Sequence, residues 1–184
     1  GGATESGSQS VSITMTEDES APSVSLTSNS DSIAESSSSA ITLTVTLSQI
    51  ADEAVTVSFS TSGTATEGID YTAVPNITIA AGSYTGTTTF TSIDNAVYEA
   101  DKMASVAIAL VSGANATENG SQSVNITVSE YENNLSVTLS TNTSSIQEDA
   151  SGKITLTATL SEIADIDVTV ALATSSSATE GTDY

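Results

Sequence analysis

The chain repeats itself at a fixed interval, and this repeat limits its possible architecture more than any other feature. The segment Gly7–Val11 recurs as Gly120–Val124, an offset of 113 positions. The segment Ala65–Tyr71 recurs at the same offset as Ala178–Tyr184. When the chain is aligned on itself at this offset without gaps, 41 of the 71 overlapping positions are identical. A single register kept over this length predicts a tandem array of similar structural units.

The repeat divides the chain into three parts. Residues 1–20 are predicted to hold the C-terminal strand of a preceding repeat, residues 21–133 one complete repeat, and residues 134–184 the N-terminal half of a following repeat. A sheet that stops partway through its strand order leaves strand edges and a core face uncovered. We therefore expect the natural polypeptide to continue beyond both ends of this sequence.

Composition excludes several classes of partner and chemistry. Only Lys102 and Lys153 offset 23 acidic residues, and the formal net charge is −21. Binding to phosphate groups needs basic side chains, so nucleic acid and anionic membrane surfaces are disfavoured as partners. No apolar run approaches the roughly 20 residues that span a bilayer, so we expect no direct membrane insertion. The chain also lacks Cys and His, which removes disulfides, thiolate metal sites and the commonest general base. We predict that it is not an enzyme.

Alternation of apolar and hydroxylic residues runs through most of the chain. Ile41–Leu47, Val55–Phe59, Val106–Leu110 and Val124–Val128 all alternate at period two, which is typical of strands with one buried and one solvated face. The strands of the complete repeat are predicted at 23–27, 31–34, 40–48, 54–61, 77–80, 84–93, 102–112 and 121–130. With the first two counted as one broken edge strand, the pattern predicts an all-β fold of tandem immunoglobulin-like sandwiches, each with seven antiparallel strands.

Three segments of the complete repeat resemble the Calx-β repeat family. They are Thr61–Tyr71, which contains Gly63-Thr64-Ala65 and Asp70-Tyr71, then Ile79–Gly82, and then the acidic stretch Ile93–Asp101. These segments occur in the family's order across the whole unit. The family is found in the cytoplasmic regulatory domains of sodium–calcium exchangers and in large bacterial surface proteins, including adhesins. The resemblance implies a seven-stranded sandwich that holds calcium at one end.

The resemblance also implies which residues hold the calcium. Calcium is a hard cation that takes about six to eight oxygen ligands, and acidic side chains supply such oxygens. Carried over by position, the implied ligands are Glu35, Asp94, Glu99, Asp101, Glu130 and Glu132. The equivalent acids of the neighbouring repeats are Glu17, Asp18, Glu19 and Glu148.

Two positions depart from the family pattern. Ser62 stands where the family often has an acidic residue, and Lys102 brings a positive charge to the end of the acidic stretch. Asp70 and Tyr71 are interpreted as structural, the first forming a turn and the second packing at the corner of the sandwich.

Two functions fit these features. In the first, the chain is a structural spacer of a long extracellular surface or matrix protein, such as an adhesin stalk or fibre, with calcium stiffening the repeat junctions and neighbouring repeats as its partners. In the second, it is a recognition or self-assembly module that binds glycan, host protein or sibling chains to build a filament. Both place the chain at the cell surface or in secreted material. A regulatory calcium sensor fits the Ser/Thr-rich, Cys-free composition less well.

Overall fold

The computed structural model describes residues 1–16, 18–132, 134–147, 152–175 and 177. Among these residues every regular element is a strand, and none forms a helix long and apolar enough to cross a membrane. The strands are β1 (Ser23–Ser28), β2 (Ser32–Ala34), β3 (Ile41–Leu47), β4 (Val55–Gly63), β5 (Ile77–Ile79), β6 (Thr85–Phe90), β7 (Val97–Tyr98), β8 (Lys102–Ser112), β9 (Thr117–Glu118), β10 (Ser123–Ser129), β11 (Val137–Thr141), β12 (Leu156–Leu160) and β13 (Ile163–Ala164).

Two sheets packed face to face form a sandwich from β1 to β10. One sheet has the strand order β6-β3-β1-β9, and the other has the order β2-β10-β8-β4-β5. Most neighbours are antiparallel, while β1 with β9 and β2 with β10 are parallel. With β1 and β2 counted as one interrupted strand, and without the two-residue β7 and β9, the sandwich has seven strands. The predicted all-β, immunoglobulin-like fold is confirmed.

The core follows from the alternation in the sequence. In β3 the buried residues Ile41, Leu43, Val45 and Leu47 alternate with threonines that are only partly buried. The fully buried aromatic residues are one stacked pair, Tyr71 and Phe90, and the other large buried hydrophobic side chains are aliphatic. Aliphatic burial on both inner faces therefore supplies most of the hydrophobic stabilisation.

A β-bulge interrupts the alternation in β8. The sequence pattern places Val106, Ile108 and Leu110 on one face. In the structure Phe59 pairs with Ile108 and Ser58 pairs with Leu110, so that Ala109 has no partner on β4. One extra residue turns the following side chains to the opposite face, and Leu110 is consequently 63% exposed. The expectation of strict alternation through Leu110 was wrong for this reason.

The strand ends define two poles. The head is the end that carries residues 35–40, 64–71, 91–101 and 130–132. The tail is the opposite end, where the loop 48–54 connects β3 to β4 and β8 leads towards β10. The first strand is broken after β1, so that β1 stays beside β3 while β2 crosses to the other sheet and pairs with β10. This crossing brings Glu35, the residue after β2, to the head.

The flanking segments are shorter. Residues 1–16 and 18–22 contain no strand, and their assignment to a preceding repeat stays a prediction. Beyond the sandwich, β11 and β12 form a hairpin in which Val137 pairs with Leu160, at the register in which Val24 pairs with Leu47. The repeat boundaries at 20/21 and 133/134 likewise stay predictions, and the equivalents of the turn 65–71 lie outside the described residues.

We predict that Leu43→Ala lowers the free energy of unfolding by about 2–5 kcal/mol, because Leu43 is fully buried and its truncation leaves a cavity between the sheets. The neighbouring Thr44→Ala, on the outer face of the same strand, should cost less than about 1 kcal/mol. Urea unfolding followed by circular dichroism measures both values. Equal losses for the two variants would contradict the assignment of the inner face.

Candidate metal centre

Three glutamates from two neighbouring strands converge at the head. Glu35 directly follows β2, and Glu130 and Glu132 follow β10. Because β2 and β10 are parallel, both strands deliver their C-terminal residues to the same place; Glu35 N–H donates to Ser129 O at 3.0 Å. One carboxylate oxygen from each glutamate lies within 4.8 Å of the others. We call these three residues the acid cluster.

Neighbouring side chains hold Glu35 in this buried position. Its side chain is 5% exposed, and the Asn95 side-chain amide donates to its Oε1. The Ser92 hydroxyl donates to Glu35 O at 3.1 Å. Asn95 is itself fixed by Val97 N–H, which donates to Asn95 Oδ1 at 2.8 Å. Asn95 therefore belongs to the site, although it was not among the residues that the sequence indicated.

The acid cluster changes the protonation of its members. Burial, together with repulsion from Glu132, Glu99, Glu130 and Asp94, raises the pKa of Glu35 to about 7. A hydrogen bond shared with Glu130, reinforced by burial, raises the pKa of Glu132. Burial also tends to raise the pKa of Glu130. Hydrogen bonds from Glu132 and from three backbone N–H groups outweigh this effect, so that the pKa of Glu130 is lowered. Glu35 and Glu132 therefore keep their protons to a higher pH than isolated carboxyl groups do.

The other three predicted ligands, Asp94, Glu99 and Asp101, lie near the acid cluster but differ in exposure and in hydrogen bonding. Asp94 is exposed and acts on the cluster through its charge. Glu99 N–H donates to Glu130 Oε2, which joins the acidic stretch to the cluster. Asp101 is exposed, and its Oδ1 accepts the Glu130 N–H at 2.9 Å. The structure therefore brings all six predicted residues to the head, but only Glu35, Glu130 and Glu132 have carboxylates close enough to share an ion.

Lys102 occupies the adjacent part of the head. Its Nζ lies 3.1 Å from Asp70 Oδ1 and forms a second ion pair with Glu99. Desolvation opposes the charge of Lys102, but hydrogen bonds to Glu99 and Asp70 outweigh it and raise the pKa of the ammonium group. Because Lys102 holds its carboxylate, Glu99 is not free to ligate a metal unless this ion pair opens.

Asp70 has a second role that the sequence did not reveal. Its Oδ2 accepts Thr66 N–H within the turn, in agreement with the structural interpretation. Its Oδ1 faces Lys102, and the side chain is 2% exposed. Tyr71 is buried and stacks on Phe90 with ring centroids 4.8 Å apart, which anchors the turn to the sandwich corner. Spacing in the sequence could not show this, because Asp70 and Lys102 meet only through the pairing of β4 with β8.

A tight backbone approach fixes the start of this turn. Gly63 ends β4 with φ of 118°, and a Cβ there would lie 2.1 Å from Met103 O. The close contact allows Thr64 N–H and Ala65 N–H both to donate to that oxygen, at 2.9 and 3.0 Å. Glycine is required here by both conformation and space. Its counterpart in the next repeat, Ser176, lies outside the described residues, as do the predicted acids Glu17 and Glu148.

The arrangement suits a hard cation. All side-chain ligands at the acid cluster are oxygens, the type that Ca²⁺ prefers. Glu132 Oε2 is buried without a hydrogen-bond partner, which is costly unless a cation or water is bound. A cavity of about 10 Å³ lies between the acid cluster and Lys102, lined by Glu35, Asp70, Glu99 and Glu130 among others. A space of this size holds about one water molecule or ion.

Comparison with known proteins agrees with the fold. Two sheets packed face to face, built from strands alone among the described residues, place the chain in the class of all-β sandwich modules. The Calx-beta domain family model matches residues 17–132. The chain belongs to the Calx-beta domain family.

Two solved structures are similar to this chain, and the first of them shares its fold. The apo-form Calx CBD1 domain is 14% identical with a TM-score of 0.50, and the match covers 59% of this chain and 98% of that one. The CBD12 structure from CALX1.2 is 15% identical with a TM-score of 0.46, and the match covers 53% of this chain and 40% of that one. The chain therefore spans less than half of the CBD12 protein. No curated protein sequence matches the chain.

We predict that the metal-free protein loses stability as the pH rises. The folded-state pKa of Glu35, about 7, lies above the ordinary value of 4.5. Its contribution is therefore fully present below pH 4.5 and is lost as the pH rises through 7, by up to roughly 3 kcal/mol. Urea unfolding in a chelator between pH 5 and pH 8 measures this slope.

Matched variants separate this effect from the overall charge of the chain. Glu35→Gln removes the titrating group and should flatten the slope, whereas Glu53→Gln removes one acid at the tail and should leave the slope unchanged. Metal-free protein that is more stable at pH 8 than at pH 5 would contradict the argument.

Proposed function

We propose that each sandwich of this chain is a calcium-binding spacer unit in a long extracellular surface or matrix protein. The observation that carries the proposal is the acid cluster, in which three carboxylates approach within 4.8 Å and one buried oxygen, Glu132 Oε2, has no partner. In the absence of a cation, this crowding is relieved by bound protons and by hydrogen bonds from Asn95 and from backbone N–H groups. A divalent ion would replace the protons and relieve the repulsion directly.

Glu35, Glu130 and Glu132 would hold the ion. Glu35 directly follows β2, and the other two follow β10, so the ion would tie the broken first strand to the last strand. Asp94 lies near enough to contribute negative charge. Asp101 Oδ1 is already engaged by Glu130 N–H, and Glu99 by Lys102. We therefore expect one principal ion in this unit.

The spacer role rests on the repeat and on the position of the site. The head lies at one end of the long axis of the strands, and residues 130–132 lead directly from β10 into the following segment. An ion bound there would restrain the residues that connect one unit to the next. A stiff array of non-catalytic sandwiches fits a composition without Cys or His. Its partners would be the neighbouring repeats, and its place would be outside the cell.

We predict that calcium raises the melting temperature. At a free calcium concentration of 100 times Kd, binding adds about 2.7 kcal/mol to stability, which corresponds to a rise of roughly 10 °C for a domain of this size. Differential scanning calorimetry with calcium, magnesium or chelator measures the effect. Magnesium should act more weakly, because it demands a near-octahedral site and loses its waters reluctantly.

Two variants assign this effect to the acid cluster. Glu132→Gln should abolish most of the calcium-dependent rise, and Glu53→Gln at the tail should preserve it. A melting temperature that does not respond to calcium in the unaltered protein would refute calcium binding. An equal response in both variants would move the site away from the acid cluster.

We also predict that calcium stiffens the array. In two copies of residues 21–133 joined in tandem, the ion should restrict bending at the junction, because it fixes residues 130–132 to the sandwich. Small-angle X-ray scattering should show a larger maximum dimension and a narrower distance distribution in calcium than in chelator. A compact particle in calcium would count against the spacer role.

A further inference from the structure

The segment after the sandwich folds back onto the head of the complete unit. The two residues of β13 pair in parallel with β7, with Ile163 opposite Val97 and Ala164 opposite Tyr98. Asp165 N–H continues the pairing by donating to Tyr98 O at 3.2 Å. The contact joins two regions about 65 residues apart in sequence through backbone hydrogen bonds, a mode of binding in which a strand edge accepts an added segment.

A lysine ion pair reinforces this contact. Lys102 Nζ lies 3.9 Å from Asp165 Oδ2, in addition to its ion pairs with Asp70 and Glu99. In a chain of net charge −21, Lys102 is one of two basic residues. The head is otherwise acidic, so Asp165 would meet repulsion there without this ammonium group. Lys102 thus neutralises the part of the head on which Asp165 lies.

The docked segment has a counterpart at the tail of the complete unit. Ile163-Ala164-Asp165 repeats Ile50-Ala51-Asp52 at the offset of 113 positions. Ile50–Asp52 lies in the loop between β3 and β4, where Gly82 N–H donates to Ala51 O at 2.8 Å. The Ile50 side chain remains 49% exposed, and Asp52 is also exposed.

The hydrogen bond that holds the tail loop within its own unit does not compete with the hydrogen bond that docks the loop on a neighbouring head. The tail loop is fixed within its own unit through a carbonyl, Ala51 O, whereas docking on the head uses the amide N–H of the next residue, as Asp165 shows. A single loop can therefore make both bonds. Its remaining backbone groups and its exposed aspartate are then available to a neighbouring unit, while the isoleucine side chain stays exposed, as Ile163 does in the docked segment.

We propose that consecutive units join head to tail through this loop, which adds to β7 of the preceding unit while its aspartate pairs with Lys102. Lys102 acts as a tethered cation, so this part of the junction needs no metal ion. Ile50-Ala51-Asp52 docks in the same way on the head of the unit before it. The proposal deepens the spacer role proposed above and does not depend on calcium binding.

Engineered cysteines test the docking in the full chain. The protein has no Cys of its own, so Tyr98→Cys combined with Ala164→Cys introduces the only two thiols. Under a mild oxidant, in chelator and at low protein concentration, this pair should form an intramolecular disulfide at least about tenfold faster than a control pair, Tyr84→Cys with Ala164→Cys. Tyr84 is exposed at the tail, and the two pairs share one of their thiols. Equal rates for the two pairs would overturn the docking.

Charge variants test the role of Lys102. Asp165→Asn should slow disulfide formation between the cysteines at 98 and 164 by about twofold to fivefold, the range expected for a partly exposed ion pair, and 1 M salt should have a similar effect. Asp167→Asn removes the same charge two residues away and should leave the rate unchanged.

Lys102→Met should slow the reaction at least as much as Asp165→Asn. Because Lys102→Met also leaves the buried Asp70 without its partner, Asp165→Asn is the decisive variant: it leaves the sandwich itself unaltered. A rate that is indifferent to Asp165→Asn would overturn the tethered-cation role. Rapid, charge-dependent disulfide formation in chelator, with a melting temperature indifferent to calcium, would refute calcium binding while supporting the docking.

Discussion

The parallel pairing of β2 with β10 is the constraint on which the head depends. Parallel neighbours end at the same edge of a sheet, so Glu35 and Glu130 must meet once Ser32–Ala34 joins Thr127–Ser129. This pairing requires the first strand to break and cross between sheets. An unbroken first strand would stay beside β3 and leave Glu35 on the other sheet. The break in the strand therefore creates the acid cluster, and the buried position of Glu35 follows from it.

The head resolves its crowding of negative charge by two different means. On one side, Lys102 neutralises Asp70 and Glu99 with a covalently attached cation. On the other side, the acid cluster has no basic side chain of its own among the described residues and retains protons, as the raised pKa values of Glu35 and Glu132 show. The first solution is permanent, whereas the second depends on protons or, as proposed above, on a metal ion from the solution. The two halves of the head thus differ in their dependence on the surrounding solution.

The sequence predicted the sandwich well because its strands are specified locally. Alternation such as that of Ile41–Leu47 fixes both the strand and its inner face, and the repeat shows which segments belong together. The six acidic residues at the head were also found, through the family resemblance. The bulge at Ala109 was not, because Val106–Leu110 alternates without interruption. Two partners of Lys102 were hidden for a different reason: Asp70 and Asp165 are brought to it by strand pairing, which local spacing does not encode, whereas Glu99 lies only three residues before it.

The two kinds of cation have different consequences for an array. Acidic residues lie at both poles, with Asp52 and Glu53 exposed in the tail loop, so the proposed junction between units must overcome repulsion between like charges. At the proposed junction, Lys102 would supply one fixed positive charge at any calcium concentration. A unit with an acidic residue at this position would instead need a further metal ion, so its junction would soften when calcium is scarce. The residue at this single position would then set how strongly each junction responds to calcium, and an array could combine permanent and calcium-dependent joints without any change in fold.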